Sequence, residues 1–319
     1  MLALPLPGSG LRLTPKGIEA EETGALIPVD RDLLRNLRAW LPYGAAEFAR
    51  TMNRENILEI DAVPSLPKPY YLLWGVLRRA GLRPGPNPAL SVMFTDKTFP
   101  HEHPEVPPIS ESGGFVLNGS CTDISKSRVA RVFEDVFGYP LAIDPTTHRG
   151  PAVEKGEGNG IHDGRIVSTP RAALPGRVYQ RVIDNRVGDD RVDGGAFVED
   201  LRCPTVFGEI GVVCAKRRPT RDRFANLNTS CELREPEDVF SALELTRITA
   251  FCQAMRLDWG GLDILRDRGD GRIYIVDVNK TDMPVLVLST EEKLEVSDRL
   301  AKLLRAGVEA RLETSAHTR

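Results

Sequence analysis

Asp263, Asp277 and Asn279 are the residues of this 319-residue chain whose types and spacing point most directly to chemistry. They lie in WGGLDILRDRGDGRIYIVDVNKT, where the apolar runs GLDIL and RIYIVDV flank the turn-rich RDRGDG, the pattern of a β-hairpin. Side chains two apart on a strand share a face, so Asp277 and Asn279 point the same way. A connection of odd length sets Asp263 opposite Asp277, at the roughly 5 Å spacing of directly paired positions. Two carboxylates and an amide oxygen suit a hard cation such as Mg2+, which keeps waters and takes its other ligands from phosphates. The same residues also suit an ordinary hairpin with a wet polar face.

Upstream, KGEGNGIHDG runs from Lys155 to Gly164 and carries Gly156, Gly158, Gly160 and Gly164. Glycine lets successive N–H groups converge on an anion, and Lys155 adds a point charge, although a mobile surface turn has the same composition. A basic cluster, AKRRPTRDRF, holds Lys216, Arg217, Arg218, Arg221 and Arg223 at a strand end, where it could complement phosphate or stay solvated. Arg202 sits inside an apolar strand pattern, so its guanidinium needs a carboxylate or phosphate partner. NKTD at 279–282 matches a guanine-specificity motif. No GxxxxGK[ST] phosphate loop accompanies it, and Asn279 is read as a metal ligand instead. None of the five histidines has a context suggesting a nucleophilic triad.

The elements that must position these groups follow from length and pattern. With 41% apolar residues, the chain can bury a sizeable core in one large or two modest domains. A formal charge of −3 gives no general case for nucleic acid or an anionic membrane. No run approaches the ~20 apolar residues of a membrane span, and the Pro- and Gly-broken N-terminus makes a poor signal peptide. Five cysteines without CxxC spacing read as thiols of a reducing cytoplasm, not as a disulfide frame or zinc site. Helices are expected over Asp32 to Met52 and Tyr70 to Ala80, and a strand over Leu90 to Phe94. The Pro-broken segment Phe99 to Gly114 reads as a loop, its His101 and His103 as solvated. Asp123 is the expected N-cap of a helix ending at Gly138. Strands follow near Pro140 to Asp144, Pro151 to Lys155, Arg177 to Ile183, Asp200 to Thr205 and Glu209 to Lys216. Pro236 should open a long amphipathic helix, and Ser289 with Glu292 should cap the last one, with Leu300, Leu303, Leu304 and Val308 inward.

Taken in order over about residues 118–306, these pieces resemble the ATP-grasp superfamily of carboxylate-to-amine ligases. The resemblance is carried by Lys126 in DISKSRVARVF, Lys155 before the glycine loop with Gly158, Asn159 and Gly160, and the strand VYQRVID. It continues through Asp200 and Arg202 in EDLR, Lys216, Arg218 and Asn226 in CAKRRPTRDRFAN, and the closing GLD…DVN. Three departures stand out: LAIDP has Asp144 where a lysine is expected, Asp277 replaces the commoner glutamate, and the N-terminal part is barely recognisable as an α/β unit.

The resemblance implies an α/β (α+β) ATP-grasp fold in which two lobes enclose ATP. Residues 1–117 would form a small irregular α/β domain. Residues 118–319 would form the ATP-grasp domain, with 118–185 as lid lobe and 186–306 as catalytic lobe. ATP would be held by Lys126, Lys155, the glycine loop, hinge residues Gln180, Arg181 and Val182, and Asp184 at the ribose. One or two Mg2+ ions would sit on Asp263, Asp277 and Asn279. Arg202, Arg218 and Lys216 would stabilise charge while a small-molecule carboxylate becomes an acylphosphate and an amine displaces phosphate. The alternatives are a phosphotransferase on the same fold and a non-catalytic nucleotide-binding module. A cytoplasmic enzyme with no nucleic-acid or membrane partner is expected, its oligomeric state left open with a homodimer as one option.

Overall fold

The computed structural model describes residues 4–6, 11–15, 17–20, 26–27, 29, 31–50, 57–95, 97–100, 115–161, 163–188, 197–225 and 227–317. His101, His103 and Asn226 fall outside these. The fold is mixed α/β and divides into two compact units. One is drawn from Met1–Lys97, Pro104–Leu117 and Thr281–Arg319, the other from Thr98–His103 and Asn118–Lys280. Among the described residues, no helix is long and apolar enough to cross a membrane.

In chain order the first unit begins with β1 (Leu4–Leu6), β2 (Leu11–Thr14), β3 (Gly17–Ala20) and β4 (Leu26–Ile27), an antiparallel meander. Then come α1 (Arg31–Ala49), β5 (Leu58–Val63), α2 (Leu72–Arg79), β6 (Leu82–Pro84), β7 (Leu90–Met93) and β8 (Phe115–Leu117). The last four strands form a parallel sheet in the order β6-β5-β7-β8.

The second unit contributes α3 (Lys126–Phe137), β9 (Gly150–Gly156), β10 (Arg165–Thr169), β11 (Arg177–Arg181), β12 (Arg186–Val187), β13 (Phe197–Val206), β14 (Glu209–Ile210), β15 (Val213–Pro219) and β16 (Ser230–Arg234). It ends with α4 (Pro236–Val239), α5 (Ala242–Met255), β17 (Trp259–Arg266) and β18 (Ile273–Asn279). The last helix, α6 (Thr290–His317), returns to the first unit.

That return differs from the sequence division, which kept everything after residue 117 together. Leu300, Leu304 and Val308 are fully buried, and α6 packs against α2 and α1. Polar contacts fix the match: Tyr43 Oη lies 3.1 Å from Ser297 Oγ, Arg79 Nε donates to Asp298 Oδ1 at 2.8 Å, and Arg50 also pairs with Asp298. Ser289 and Glu292 form the expected reciprocal cap.

The second unit holds two sheets. A small one runs β10-β9-β11, and a larger antiparallel one has the path β16-β15-β13-β17-β18, with β12 and β14 beside β13. The two-residue period of a strand sorts the larger sheet's faces. Leu201, Cys203, Val213, Ala215, Leu262, Ile264 and Val278 turn to a core shared with Val129 and Phe133 of α3 and Ile248 and Phe251 of α5. Each of the large apolar side chains there contributes about 1.5–3 kcal/mol of burial. The alternating partners Asp200, Arg202, Lys216, Asp263, Asp277 and Asn279 therefore share the opposite face.

Local corrections have local causes. Pro236 opens only the four-residue α4. Phe240 is extended, and Ser241 starts α5 through a capping box with Glu244. The cap of α3 is Ser125, whose side chain accepts from Arg128 N, while Asp123 Oδ1 accepts from Ser125 N. No strand forms over 140–144. A single bridge joins Ala142 to Gln180, and the Asp144 carboxylate instead organises a turn with Thr146 and Thr147.

Candidate functional site

The β17–β18 hairpin pairs Gly261 with Asn279 and Asp263 with Asp277, but then pairs Ile264 with Ile275. Val276 is the extra residue of a β-bulge, and it alters the phase of the strand by one position. Without that shift Asp263 would face Val276, and Asp277 would turn to the other side.

On the other flank, Arg202 of β13 is the direct cross-strand partner of Asp263. Its Nη1 donates to Asp263 Oδ2 at 2.7 Å, and Lys216 Nζ donates to Oδ1 at 3.1 Å. Burial alone would raise the Asp263 pKa. The two cations outweigh it and hold the carboxyl far below the usual carboxylate range. Asn279 Nδ2 also approaches Asp263 Oδ2, at 3.4 Å. Asp277 is less engaged: its Oδ1 accepts from Val278 N at 3.1 Å.

Two opposed carboxylates and one amide oxygen are a hard donor set suited to Mg2+. Among the described residues no group of three or more His, Cys, Asp or Glu could hold a metal. A cation here would therefore rely on Asp263, Asp277 and Asn279, completed by oxygens of a ligand or water.

The glycine-rich turn approaches the same face. Lys155, at the end of β9, sends Nζ to the carbonyl of the bulged Val276 at 3.1 Å. Burial lowers its pKa to about 8, against the raising effect of Asp277. Lys126 Nζ donates to Gly158 O at 2.6 Å, and the Glu157 carboxylate accepts from Ser127 N and Oγ at 2.8 and 2.9 Å. Asn159 N donates to Thr98 Oγ1 at 3.0 Å, and its Nδ2 donates to Asn279 Oδ1 at 3.2 Å. The turn needs glycine at Gly160, where φ is +72°, and its base is pinned by Gly156 N on Asp163 Oδ1 at 2.8 Å.

β11 and the basic end of β15 are arranged differently. Gln180 is buried and its Nε2 has no hydrogen-bond partner among the described residues, while Arg181 stacks over the Tyr274 ring at 5.0 Å. Val182 is half-buried just beyond β11. Asp184 is held by Arg186 through two bonds of 2.7 Å, which keep its carboxyl below the usual range. Arg218 is buried and braces the turn after β15, donating to Asp200, Asn228 Oδ1 and Arg223 O. It reaches the charged face through Asp200 rather than beside Asp263. Lys280, next to Asn279, is buried with Nζ on the Cys121 carbonyl at 3.0 Å.

Asp263, Asp277, Asn279, Arg202, Lys216, Lys155 and Asn159 are thus brought into one connected set. Sequence reasoning missed Val276, whose role is a bulge with no residue signature, and Glu157, which ties the glycine turn to the start of α3. The Ser127–Glu157 pair could not have been found from spacing, because 30 residues separate its members.

No protein-family model and no curated protein matches the chain. The chain is similar to solved ATP-grasp structures. One is the ATP-grasp ligase PsnB complexed with precursor peptide PsnA2 and AMPPNP, at 12% identity and TM-score 0.47, covering 83% of this chain and 100% of that one. Another is a D-alanine–D-alanine ligase from Bacillus anthracis complexed with ATP, at 13% identity and TM-score 0.45, covering 82% and 99%. A third is a RimK domain ATP-grasp protein from Sphaerobacter thermophilus, at 12% identity and TM-score 0.45, covering 77% and 99%.

Proposed function

We propose that this protein is an ATP-dependent ligase of the ATP-grasp type that joins a small-molecule carboxylate to an amine. The observation that carries this reading is the pairing of Asp263 with Asp277 beside Asn279, on the sheet face reached by Lys155 and the glycine turn. The nucleotide site belongs to the unit containing Asn118–Lys280. In it Lys126, Lys155 and the glycine turn around Gly158, Asn159 and Gly160 hold the phosphates, and the strand carrying Gln180, Arg181 and Val182 holds the base. Asp184, already shared with Arg186, reaches the ribose.

Mg2+ bound at Asp263, Asp277 and Asn279 would neutralise charge on the phosphate oxygens. A substrate carboxylate oxygen attacks the γ-phosphorus and ADP leaves, giving an acylphosphate. The amine nitrogen then attacks the acyl carbon, phosphate departs with the bonding pair, and the nitrogen loses a proton. Arg202 and Lys216 are placed to stabilise the developing negative charge while keeping Asp263 ionised. Arg218 positions Asp200 and the turn behind them. No side-chain nucleophile is required.

The test is incubation with ATP, Mg2+ and a panel of carboxylates and amines, following ADP, phosphate and product mass. ADP and phosphate in equal amounts with a new amide would support the ligase. A stable phosphorylated product without amide would make the protein a phosphotransferase. Tight AMPPNP binding with no turnover on any pair would leave a nucleotide-binding module.

A further inference from the structure

Asn159 joins the glycine turn to the hairpin through a single bond whose direction can be deduced. The amide of Asn279 lies between Asp263 and Asn159, with one end 3.4 Å from Asp263 Oδ2 and the other 3.2 Å from Asn159 Nδ2. Arg202 and Lys216 both donate to Asp263, so its oxygens act as acceptors, and the end of Asn279 facing them must be its NH2 group. Asn279 Oδ1 consequently faces the glycine turn. It is the oxygen a cation at this hairpin would use, and Asn159 Nδ2 already donates to it.

We infer that Asn159 is a positioning residue that holds the glycine turn down on Asn279 Oδ1, and that a divalent cation binding this oxygen displaces it. The inference rests on reading the hairpin as a cation–nucleotide site. A cation and an N–H donor cannot share the inward side of one amide oxygen without mutual repulsion, so occupancy of one loosens the other. Arrival of the cation breaks the Asn159 Nδ2 contact to Asn279, while Asn159 Oδ1 still accepts from Gly160 N at 2.9 Å and the backbone N–H of Asn159 keeps Thr98 Oγ1. The turn is then retained at its edge but free to lift and admit phosphates. Lys126 on Gly158 O and Glu157 on Ser127 hold the neighbouring residues, which confines the release to the tip.

The experiment uses the full chain and compares wild type with Asn159→Ala and Asn159→Asp. Mn2+ binding in the presence of saturating AMPPNP is measured by the paramagnetic resonance of the free ion. Amide hydrogen exchange of residues 156–161 is measured on the ligand-free protein. Removing the competing donor should tighten Mn2+ binding about three- to tenfold in Asn159→Ala, the ratio equivalent to one net hydrogen bond, and at least as much in Asn159→Asp. Exchange of the turn should be faster in both variants without ligand, with an unchanged melting temperature. Equal or weaker Mn2+ binding by both variants, with wild type binding normally, would overturn the role of Asn159 and leave the site reading intact. No Mn2+ binding by any of the three proteins would remove the site reading and this inference with it.

Discussion

Lys155 donates to the carbonyl of Val276 at 3.1 Å, and Val276 is the residue that the β18 bulge leaves without a cross-strand partner. One irregularity therefore does two things. It sets Asp277 opposite Asp263, and it offers an acceptor to the lysine that arrives from the glycine turn.

Replacing Lys155 by Met keeps the stem and removes the charge. Loss of a charge-assisted contact to phosphate should weaken AMPPNP binding by about 1.5–3 kcal/mol, or roughly ten- to 150-fold. Burial already disfavours the charged lysine, so the melting temperature should stay level or rise. Calorimetric titration beside a thermal melt tests both. Unchanged nucleotide affinity would return Lys155 to a structural role.

The two aspartates should separate cleanly. Asp277→Asn removes one negative charge while its Oδ1 can still accept from Val278 N, so it should cut turnover more than nucleotide affinity and leave stability nearly unaltered. Asp263→Asn leaves Arg202 and Lys216 without their shared counter-charge and should cost about 2–4 kcal/mol of stability, somewhat less than a fully buried pair. Urea unfolding of both variants provides the comparison. Equal destabilisation would mean that the Arg202–Lys216 cage does not distinguish them.

The hairpin, the glycine turn and the charged strand EDLR were legible because each is a local pattern. Alternation of Leu201 and Cys203 with Asp200 and Arg202 sorts core from site without knowledge of the partner strands. The bulge was not legible, since VDV carries no glycine or proline to announce an extra residue. The break before α5 does carry a sequence signal: Ser241 with Glu244 is a capping box, a stronger start than the proline five residues earlier. The packing of α6 with α1 and α2 could not be read at all, because Asp298 meets Arg50 and Arg79 across more than 200 residues of chain.

Ser241→Ala tests the cap directly. Loss of the reciprocal bonds with Glu244 should lower stability by about 1 kcal/mol. A melt unchanged within error would show that Pro236 and α4 suffice to start α5.

Asp298 supplies a pH dependence outside the site. Burial would raise its pKa, but hydrogen bonds from Arg50 and Arg79 hold it below the ordinary value. A lowered folded-state pKa means that its contribution is complete above about pH 4, the unfolded value, and is lost as pH falls through the folded one. Asp298→Asn should therefore destabilise the protein at pH 7 and matter much less at pH 3. The same destabilisation at both values in urea titrations would exclude the charge as the cause.

Because α6 completes the unit that holds the first 97 residues, the chain is built like a bracket, with Asn118–Lys280 as the uninterrupted text inside it. Synthesis runs from N- to C-terminus, so the unit that is begun first is the one finished last. The inner unit has all its strands well before the helix that buries Tyr43 and pairs Arg50 has been made. A chain stopped short of residue 290 would carry an intact charged sheet face and an outer unit with no lid on its apolar helices.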